Sequence, residues 1–267
     1  MIVASAHRII GRLVPACVMF KDHFSRVAAE YATFRPTQPA ALLDWVVSLA
    51  PARGAAWDCG TGNGQVAVGL AERFARVYAI DASAAQIAHA APNGRVAYAV
   101  APAEASGLPA GSVDLVTVSQ ALHWFDVDAF NREAHRVLAP NGAIAVWTYQ
   151  TPTVEPVELG GLLLRFARGT VGPYWPPERR LVEDGYRSVP FPFDEVPAPP
   201  FGLRADWTVA QLAGYLRTWS ATTRYTATLG VDPVLAFEQD AIALLGDPEA
   251  RCTVAWPYAI RAGHRLG

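Results

Sequence analysis

Three alternating glycines follow a short apolar run in the first quarter of the sequence, and an acidic residue stands just before them. The stretch at 55–64 reads A-A-W-D-C-G-T-G-N-G, with Asp58 ahead of Gly60, Gly62 and Gly64. An apolar run that breaks into glycines predicts a strand, a tight turn and a helix, because glycine adopts positive φ angles and lets a ligand approach the backbone. The chemistry indicated is the binding of a nucleotide-like cofactor.

The spacing of the glycines bears on which cofactor binds. A dinucleotide fingerprint reads G-x-G-x-x-G and places a pyrophosphate at a helix N-terminus. Here the spacing is G-x-G-x-G, and the carboxylate of Asp58 would repel a phosphate but suits a ligand that carries an ammonium and a sulfonium. The stretch resembles motif I of the class I S-adenosylmethionine-dependent methyltransferases, which implies that Asp58, Thr61 and the three glycines contact S-adenosylmethionine. On this motif alone, an ordinary glycine-rich turn is the alternative.

A second acidic residue, Asp81, ends the next predicted strand, at 77–80. It stands about twenty positions beyond the first glycine, where an acidic side chain accepts hydrogen bonds from ribose hydroxyls. We therefore expect Asp81 and Ala82 at the ribose, with an N-cap role for Asp81 on a helix at 83–91 as the alternative. Since NAD also carries a ribose at this place, the residue does not separate the two cofactors.

The loop after the third predicted strand, at 96–100, surrounds the adenine in the family that the sequence resembles. Pro102 stands where members often carry Asp, and Ala103 and Glu104 follow. The resemblance therefore implies that Ala103 and Glu104 contact the adenine. An exposed loop carboxylate is the alternative for Glu104.

The segment S-Q-A-L-H-W-F-D at 119–126 follows a β-branched run that predicts a buried parallel strand. Open α/β sheets bind their ligands at the carboxyl ends of such strands. The segment resembles the A-L-H-W-F segment of one branch of small-molecule methyltransferases, which implies Gln120 near the sulfonium and His123 and Trp124 towards the methyl acceptor. His123 is the candidate catalytic base for a hydroxyl or amine acceptor; a purely structural histidine is the alternative.

Two further segments resemble the same branch. The first, Y-A-T-F-R-P-T-Q-P at 31–39, matches a Y-A-x-x-R-P-x-Y-P stretch that packs over the cofactor, which implies cofactor contacts for Tyr31 and Arg35. Gln38 stands where that pattern has Tyr, and a surface helix with a solvated Arg35 is the alternative. The second segment, at 219–225, implies that Trp219 and Arg224 bind the acceptor.

The branch includes trans-aconitate methyltransferase-like proteins, so the resemblance implies a small organic acid as the methyl acceptor. An arginine fork is the natural clamp for a carboxylate. Arg35, Arg217 and Arg224 are the candidates for it, and a helix-surface arginine is the alternative for each. A carboxylate acceptor needs no general base.

Composition restricts the partners. The formal net charge of −2 offers no basic surface for nucleic acid, and 119–122 lacks the Asn/Asp-Pro-Pro-aromatic signature of nucleic-acid amino-methyltransferases. Three cysteines lack metal-ligand spacing, and no apolar run reaches the roughly eighteen residues that span a bilayer. We expect a cytoplasmic monomer or homodimer that acts on a small molecule without a metal. Lys21 is the single lysine among 22 basic residues, which is typical of a GC-rich bacterial genome.

Alternating strands and helices over 55–150 predict an α/β fold with a Rossmann-like, doubly wound sheet. The resemblance implies seven strands, mostly parallel with the last antiparallel, and a helical and loop-rich cover inserted after the fifth strand. We expect an N-terminal extension at 1–18, either disordered or a misassigned start, and a cofactor-binding core at 19–150. The cover spans 151–250, and the final strand and tail span 251–267.

The function indicated is in-line transfer of a methyl group from S-adenosylmethionine, with S-adenosylhomocysteine as the product. Two alternatives stay open at this point. One is an NAD-dependent reductase on the same sheet, and the other is a protein that binds S-adenosylmethionine or S-adenosylhomocysteine without catalysis.

Overall fold

The computed structural model describes residues 38–267. The predictions for the extension at 1–18 and for Tyr31 and Arg35 lie outside the described residues.

The first half of the described chain alternates helices and strands in the predicted order. The strands are β1 (Ala55–Cys59), β2 (Arg76–Asp81), β3 (Val96–Val100), β4 (Val113–Ser119) and β5 (Leu138–Tyr149). The helices are α1 (Ala40–Ser48), α2 (Gln65–Ala71), α3 (Ala84–Ala88) and α4 (Val127–Val137), with a 3-10 turn at Leu122–Trp124 between β4 and α4. Asp126 caps α4 by accepting a hydrogen bond from the Ala129 backbone N–H.

The second half holds five helices and four strands within the described residues. The helices are α5 (Val157–Arg165), which continues into a π-helical turn at Phe166–Thr170, α6 (Arg179–Glu183), α7 (Val209–Arg217), α8 (Ser220–Leu229) and α9 (Val234–Leu245). The strands are β6 (Thr153–Glu155), β7 (Asp194–Val196), β8 (Gly202–Thr208) and β9 (Arg251–His264). The helices that the sequence predicts from Thr208 and from Asp232-Pro233 are confirmed as α7 and α9.

The nine strands form one sheet, with the order β3-β2-β1-β4-β5-β9-β6 and with β7 and β8 also paired to β9. Strands β1 to β5 pair in parallel, whereas β9 runs antiparallel to β5. The predicted α/β fold, with a mostly parallel sheet and an antiparallel last strand, is therefore confirmed. The number of strands in the described chain is nine rather than seven.

Strand β9 is paired along both of its edges. Its second half pairs with β5 and, at 262–264, also with β7. Its first half pairs with β8 and, at 253–255, also with β6. The cover, predicted as helical and rich in loops, also contributes the strands β6, β7 and β8 to the sheet. Strands β6 and β7 are three-residue runs, T-V-E and D-E-V, too short and too polar to show a strand period.

Three apolar clusters hold the fold together. One lies against α4 and includes Trp57 and Phe130, and a second lies against α1 and α2 and includes Leu70 and Trp147. The third fills the cover and includes Trp256 of β9. Because both faces of the central parallel strands are covered, the carboxyl edge of the sheet is where polar side chains gather.

Candidate active site

The glycine turn, residues 60–64, leaves the carboxyl end of β1 in left-handed backbone conformations. The φ angles of Gly60, Gly62 and Gly64 are 66°, 57° and 87°. A Cβ atom on Gly60 would lie 2.5 Å from the Cβ of Ala121, so the position lacks both the conformation and the space for a side chain. A Cβ on Gly64 would contact the hydroxyl of Tyr98. The turn therefore needs glycine for close packing as well as for its φ angles.

Asp58 lies beneath the glycine turn and is almost fully buried, with 1% of its surface exposed. Its two carboxylate oxygens accept hydrogen bonds from the hydroxyls of Thr61, at 2.6 Å, and Thr117, at 2.8 Å. Burial raises the pKa of Asp58 to about 6, although both hydroxyls oppose the shift. An anion held in such surroundings is stabilised by a cation placed nearby.

Asp81 ends β2 beside the same turn. One carboxylate oxygen accepts a hydrogen bond from the Gly62 backbone N–H at 2.8 Å, and the other accepts one from Ser83 N–H at 2.8 Å. Burial raises the pKa of Asp81 above its usual value. Ser83, and not Asp81, caps α3, so the N-cap alternative is wrong. The ribose contact of Asp81 and of the adjacent Ala82 stays a prediction, at a position beside the turn.

The loop after β3 is held to the start of α4. Ala103 is buried, and the carboxylate of Glu104 accepts a hydrogen bond from the Asp126 backbone N–H at 2.8 Å. Glu104 thus has a structural partner that the sequence did not reveal. Its predicted contact with the adenine, like that of Ala103, stays a prediction.

Gln120 turns the chain at the carboxyl end of β4. Its φ angle is 56°, a left-handed conformation that costs a non-glycine residue about 1 kcal/mol or more. Its backbone N–H donates to the carbonyl oxygen of Trp147 at 2.9 Å, and its side-chain oxygen accepts from the Thr148 hydroxyl at 2.8 Å. These bonds to β5 hold Gln120 in a strained backbone beside the glycine turn, as is common at functional sites.

Gln38, the departure from the branch pattern, is tied into the same edge of the sheet. Its amide nitrogen donates to the Ser119 hydroxyl at 3.3 Å, and its amide oxygen accepts from Trp147 Nε1 and the Tyr258 hydroxyl, each at 3.1 Å. Glutamine can make this set of bonds because its amide both donates and accepts. The side chain therefore joins the ends of β4 and β5 to the middle of β9.

A cleft, which we call the β4 cleft, opens beyond Gln120 between the sheet edge and the cover. Its cavity volume is about 60 Å³, and the cleft opens to solvent. Its lining includes His123, Gln120 and Arg179, and the rings of Trp124, Trp175, Tyr215 and Trp219. Among the described residues that line it, none is acidic. The β4 cleft is thus an aromatic-walled site with a cationic side chain.

Arg179, at the start of α6, supplies that cation. Its guanidinium lies over the Trp175 ring at 4.4 Å from the centroid, and one of its Nη atoms donates to the Thr151 hydroxyl at 2.9 Å. The side chain is 17% exposed and forms a long ion pair, 3.6 Å, with the exposed Glu183. Sequence analysis missed Arg179 because it lies in an irregular, proline-rich stretch where no periodicity shows which side chains point inward.

His123 lies in the β4 cleft, as predicted for the segment after β4, and the buried Tyr186 contacts its ring. Its Nδ1 and the hydroxyl of Tyr186 form a hydrogen bond of 2.9 Å, and Tyr186 is fully buried with a φ angle of 61°. Burial and the charge of Arg179 lower the pKa of His123 to about 3. The imidazole is therefore neutral at physiological pH and is a weak base. Its catalytic role stays a prediction.

The structure separates the candidate residues of the cover. Trp219 lines the β4 cleft, with its ring 5.3 Å from that of Trp175, whereas Arg224 on α8 lies outside the lining. Arg217 forms ion pairs with Asp232 at 2.8 Å and Glu238 at 3.0 Å. The proposal of Arg217 as a clamp beside the pocket is wrong, because two carboxylates hold it among the helices of the cover.

Two kinds of feature are absent from the described part of the chain. No helix in 38–267 is long and apolar enough to cross a membrane. In the same part of the chain, no group of three or more His, Cys, Asp or Glu side chains is arranged to hold a metal ion.

This chain matches both a family model and the sequences of known proteins. A family model described as a methyltransferase domain matches residues 57–146. A Dictyostelium discoideum protein that carries the name of a methyltransferase is 32% identical over 210 residues, which cover 78% of this chain and 80% of that protein.

Solved structures extend this similarity. An Anaeromyxobacter dehalogenans protein described as a type II methyltransferase is 47% identical, with a TM-score of 0.80 over 87% of this chain and 99% of that one. A protein from Anabaena variabilis, described as a methyltransferase from an antibiotic biosynthesis pathway, is 16% identical with a TM-score of 0.51 over 82% of this chain and 97% of that one. This second likeness shows the fold alone.

Proposed function

Because the chain belongs to the class I S-adenosylmethionine-dependent methyltransferases, we propose that it methylates a carboxylate of a small organic acid. The observation that carries this proposal is Arg179, a cationic side chain in the aromatic β4 cleft that begins at Gln120. A guanidinium binds a carboxylate through charge-assisted hydrogen bonds in a fixed geometry. The acceptor is therefore an anion.

The residues at the glycine turn fit the cofactor that the family uses. Asp58 is an anion whose raised pKa favours a cationic ligand nearby, as the ammonium and sulfonium of S-adenosylmethionine are. At Gly62 an added Cβ atom would have Gln86 Oε1, at 3.8 Å, as its nearest neighbour, so a ligand can approach the backbone there. Asp81 accepts a hydrogen bond from the Gly62 backbone N–H beside the turn, which supports its predicted contact with ribose hydroxyls.

When bound, S-adenosylmethionine supplies a methyl group already activated by the sulfonium. The chain's own residues then have to hold the acceptor in line and keep water away. Arg179 binds the acceptor anion, and the rings around it exclude water. His123, a weak base, contributes a neutral polar edge and not proton removal. A carboxylate suits this site because it arrives already ionised and needs no base.

The test is methyl transfer from labelled S-adenosylmethionine to a panel of small organic acids. We expect a base-labile methyl ester as the product, and we expect Arg179→Gln to lower kcat/KM for the acid about 100-fold, since a truncated charge contact costs about 2–5 kcal/mol. Affinity for S-adenosylhomocysteine should not change. Arg217→Gln is the matched control, because Arg217 pairs with Asp232 and Glu238 within the cover.

Two outcomes would contradict the proposal. A base-stable product would show methylation of another kind of atom. Tight binding of S-adenosylhomocysteine with no acid methylated would leave a binding protein without this activity.

A further inference from the structure

The rings that line the β4 cleft form a connected wall. Trp175 and Trp219 lie 5.3 Å apart, and Trp219 and Tyr215 lie 5.8 Å apart, edge to face. On the side of the 3-10 turn, Trp124 lies 4.6 Å from the His123 ring. Such spacings are those of interacting aromatic groups. Tyr215 and Trp219 are themselves almost fully buried, so a ligand in the β4 cleft meets chiefly the partly exposed rings of Trp124 and Trp175.

One charge stands within this wall. Arg179 lies over the Trp175 ring at 4.4 Å and donates to Thr151 at 2.9 Å, so its guanidinium is positioned at the aromatic surface. Within residues 38–267 it is the one arginine or lysine that lines the β4 cleft. A second carboxylate on the acceptor would face indole and phenol rings with no cation to pair it. Burying an unpaired anion is costly.

From these two features we propose that the acceptor is a planar, aromatic monocarboxylic acid, whose ring packs against the partly exposed indoles of Trp124 and Trp175 while its carboxylate binds Arg179. This inference rests on the proposed function, because it names the class of acid. It narrows the small organic acid that the branch resemblance implies to one class of acid. A saturated ring of equal size fills the same space but cannot pair its edge and face with the aromatic wall.

The test compares three acceptors with the purified full chain and labelled S-adenosylmethionine. They are 3-phenylpropanoate, 3-cyclohexylpropanoate, which is matched in length and charge, and the open-chain tricarboxylate trans-aconitate. We expect kcat/KM for the phenyl acid to exceed that for the cyclohexyl acid by about 10-fold, which corresponds to about 1.4 kcal/mol. We expect the tricarboxylate to be the poorest of the three.

Variants show whether the wall causes this preference. Trp175→Leu should reduce the phenyl-to-cyclohexyl ratio to about 2-fold or less, and Trp175→Phe should restore most of it, because an aromatic face is present again. Trp45→Leu is the matched control. Trp45 packs on Phe201 and lies outside the β4 cleft lining, so the ratio should not change.

The outcomes separate this inference from the proposed function. If esters form but the cyclohexyl acid or trans-aconitate is preferred, the aromatic acceptor is wrong and carboxylate methylation stands. If no acid is methylated, the proposed function fails. In that case, calorimetric titration of the same acids into the complex with S-adenosylhomocysteine still decides the preference, and equal affinities for the two ring acids would overturn it.

Discussion

The glycine turn and the β4 cleft lie side by side at the carboxyl edge of the sheet, but they are built in different ways. The glycine turn is a contiguous segment after β1, and it acts through backbone conformation and two buried carboxylates, Asp58 and Asp81. The β4 cleft takes its lining from segments between Gln120 and Ser220, which are 100 positions apart. It acts through side chains that only tertiary packing brings together.

This difference predicts how each region responds to substitution. A change in the glycine turn alters a backbone path that every acceptor's reaction depends on. A change in the β4 cleft alters one wall and leaves the path of the turn as it was. We therefore expect cofactor binding and acceptor choice to be separable by substitution.

The largest effect is expected from Gly60→Ala. The substitution adds a left-handed strain of about 1–2 kcal/mol and a contact at 2.5 Å with Ala121, so we expect about 3 kcal/mol of lost stability and at least a 100-fold loss of S-adenosylhomocysteine affinity. Denaturant unfolding and calorimetry measure the two quantities.

Gly111→Ala is the control for that variant. Gly111 has a φ angle of 63° but no heavy atom within 4 Å of an added Cβ, so only strain remains, about 1 kcal/mol, with affinity unchanged. Equal binding by both variants would show that the turn does not hold the cofactor.

Asp58→Asn should give the next largest effect, with opposite signs for stability and binding. The pKa of about 6 in the folded state exceeds the usual 3.8, so the folded chain keeps a proton that the unfolded chain has lost between about pH 4 and 6. The stability that Asp58 contributes is therefore present below pH 4 and is lost as the pH rises to 6, by about 3 kcal/mol in all.

Replacing the carboxylate removes this loss. At pH 8 we expect the free energy of unfolding of Asp58→Asn to be about 2 kcal/mol higher than that of the unsubstituted chain. At pH 4 we expect little difference in the free energy of unfolding. Affinity for S-adenosylmethionine should fall about 10-fold, since the anion that faces the cation is gone. A variant that is equally destabilised at both pH values would disprove this account of Asp58.

A smaller effect is expected in the β4 cleft from His123→Gln. Because burial and Arg179 keep His123 neutral, kcat should be constant from pH 5.5 to 8.5, and the variant should lose about 5-fold in kcat. A general base would be worth about 100-fold or more. An acidic limb near pH 6.5 together with a loss of that size would restore His123 as the base.

The smallest effect is expected from Thr208→Ala, which removes the capping box that Thr208 and Gln211 form at the start of α7. We expect about 1 kcal/mol of lost stability with kcat unchanged. Thr228→Ala is the matched control, because the Thr228 hydroxyl bonds only to the Arg224 carbonyl on an exposed part of α8. Loss of activity in Thr208→Ala would show that the stability of the cover affects the site more strongly than their separate apolar clusters suggest.

Prediction from the sequence succeeded where a local pattern determines a local structure. The alternation over 55–150 identified β1 to β5, and the glycine spacing identified the left-handed turn, because backbone conformation follows from neighbouring residues. Arg179 and Tyr186 were missed for the opposite reason. Their positions beside His123 depend on how an irregular stretch packs on the sheet edge, and no periodicity in that stretch reports it.

Gln38 illustrates an intermediate case. Its departure from the branch pattern was visible in the sequence, but its bonds to Ser119, Trp147 and Tyr258 join residues up to 220 positions apart. A motif can therefore mark a position as unusual without showing its partners.

The double pairing of β9 has a consequence for protein engineering. Strands β6 and β8 pair with the first half of β9, and strands β5 and β7 pair with its second half. A chimera that exchanged only 151–250 with a homologue would leave three grafted strands, β6, β7 and β8, paired with a foreign β9. The smallest interchangeable module is instead 153–264, so acceptor specificity in this fold has to be transplanted together with the strand that closes the sheet.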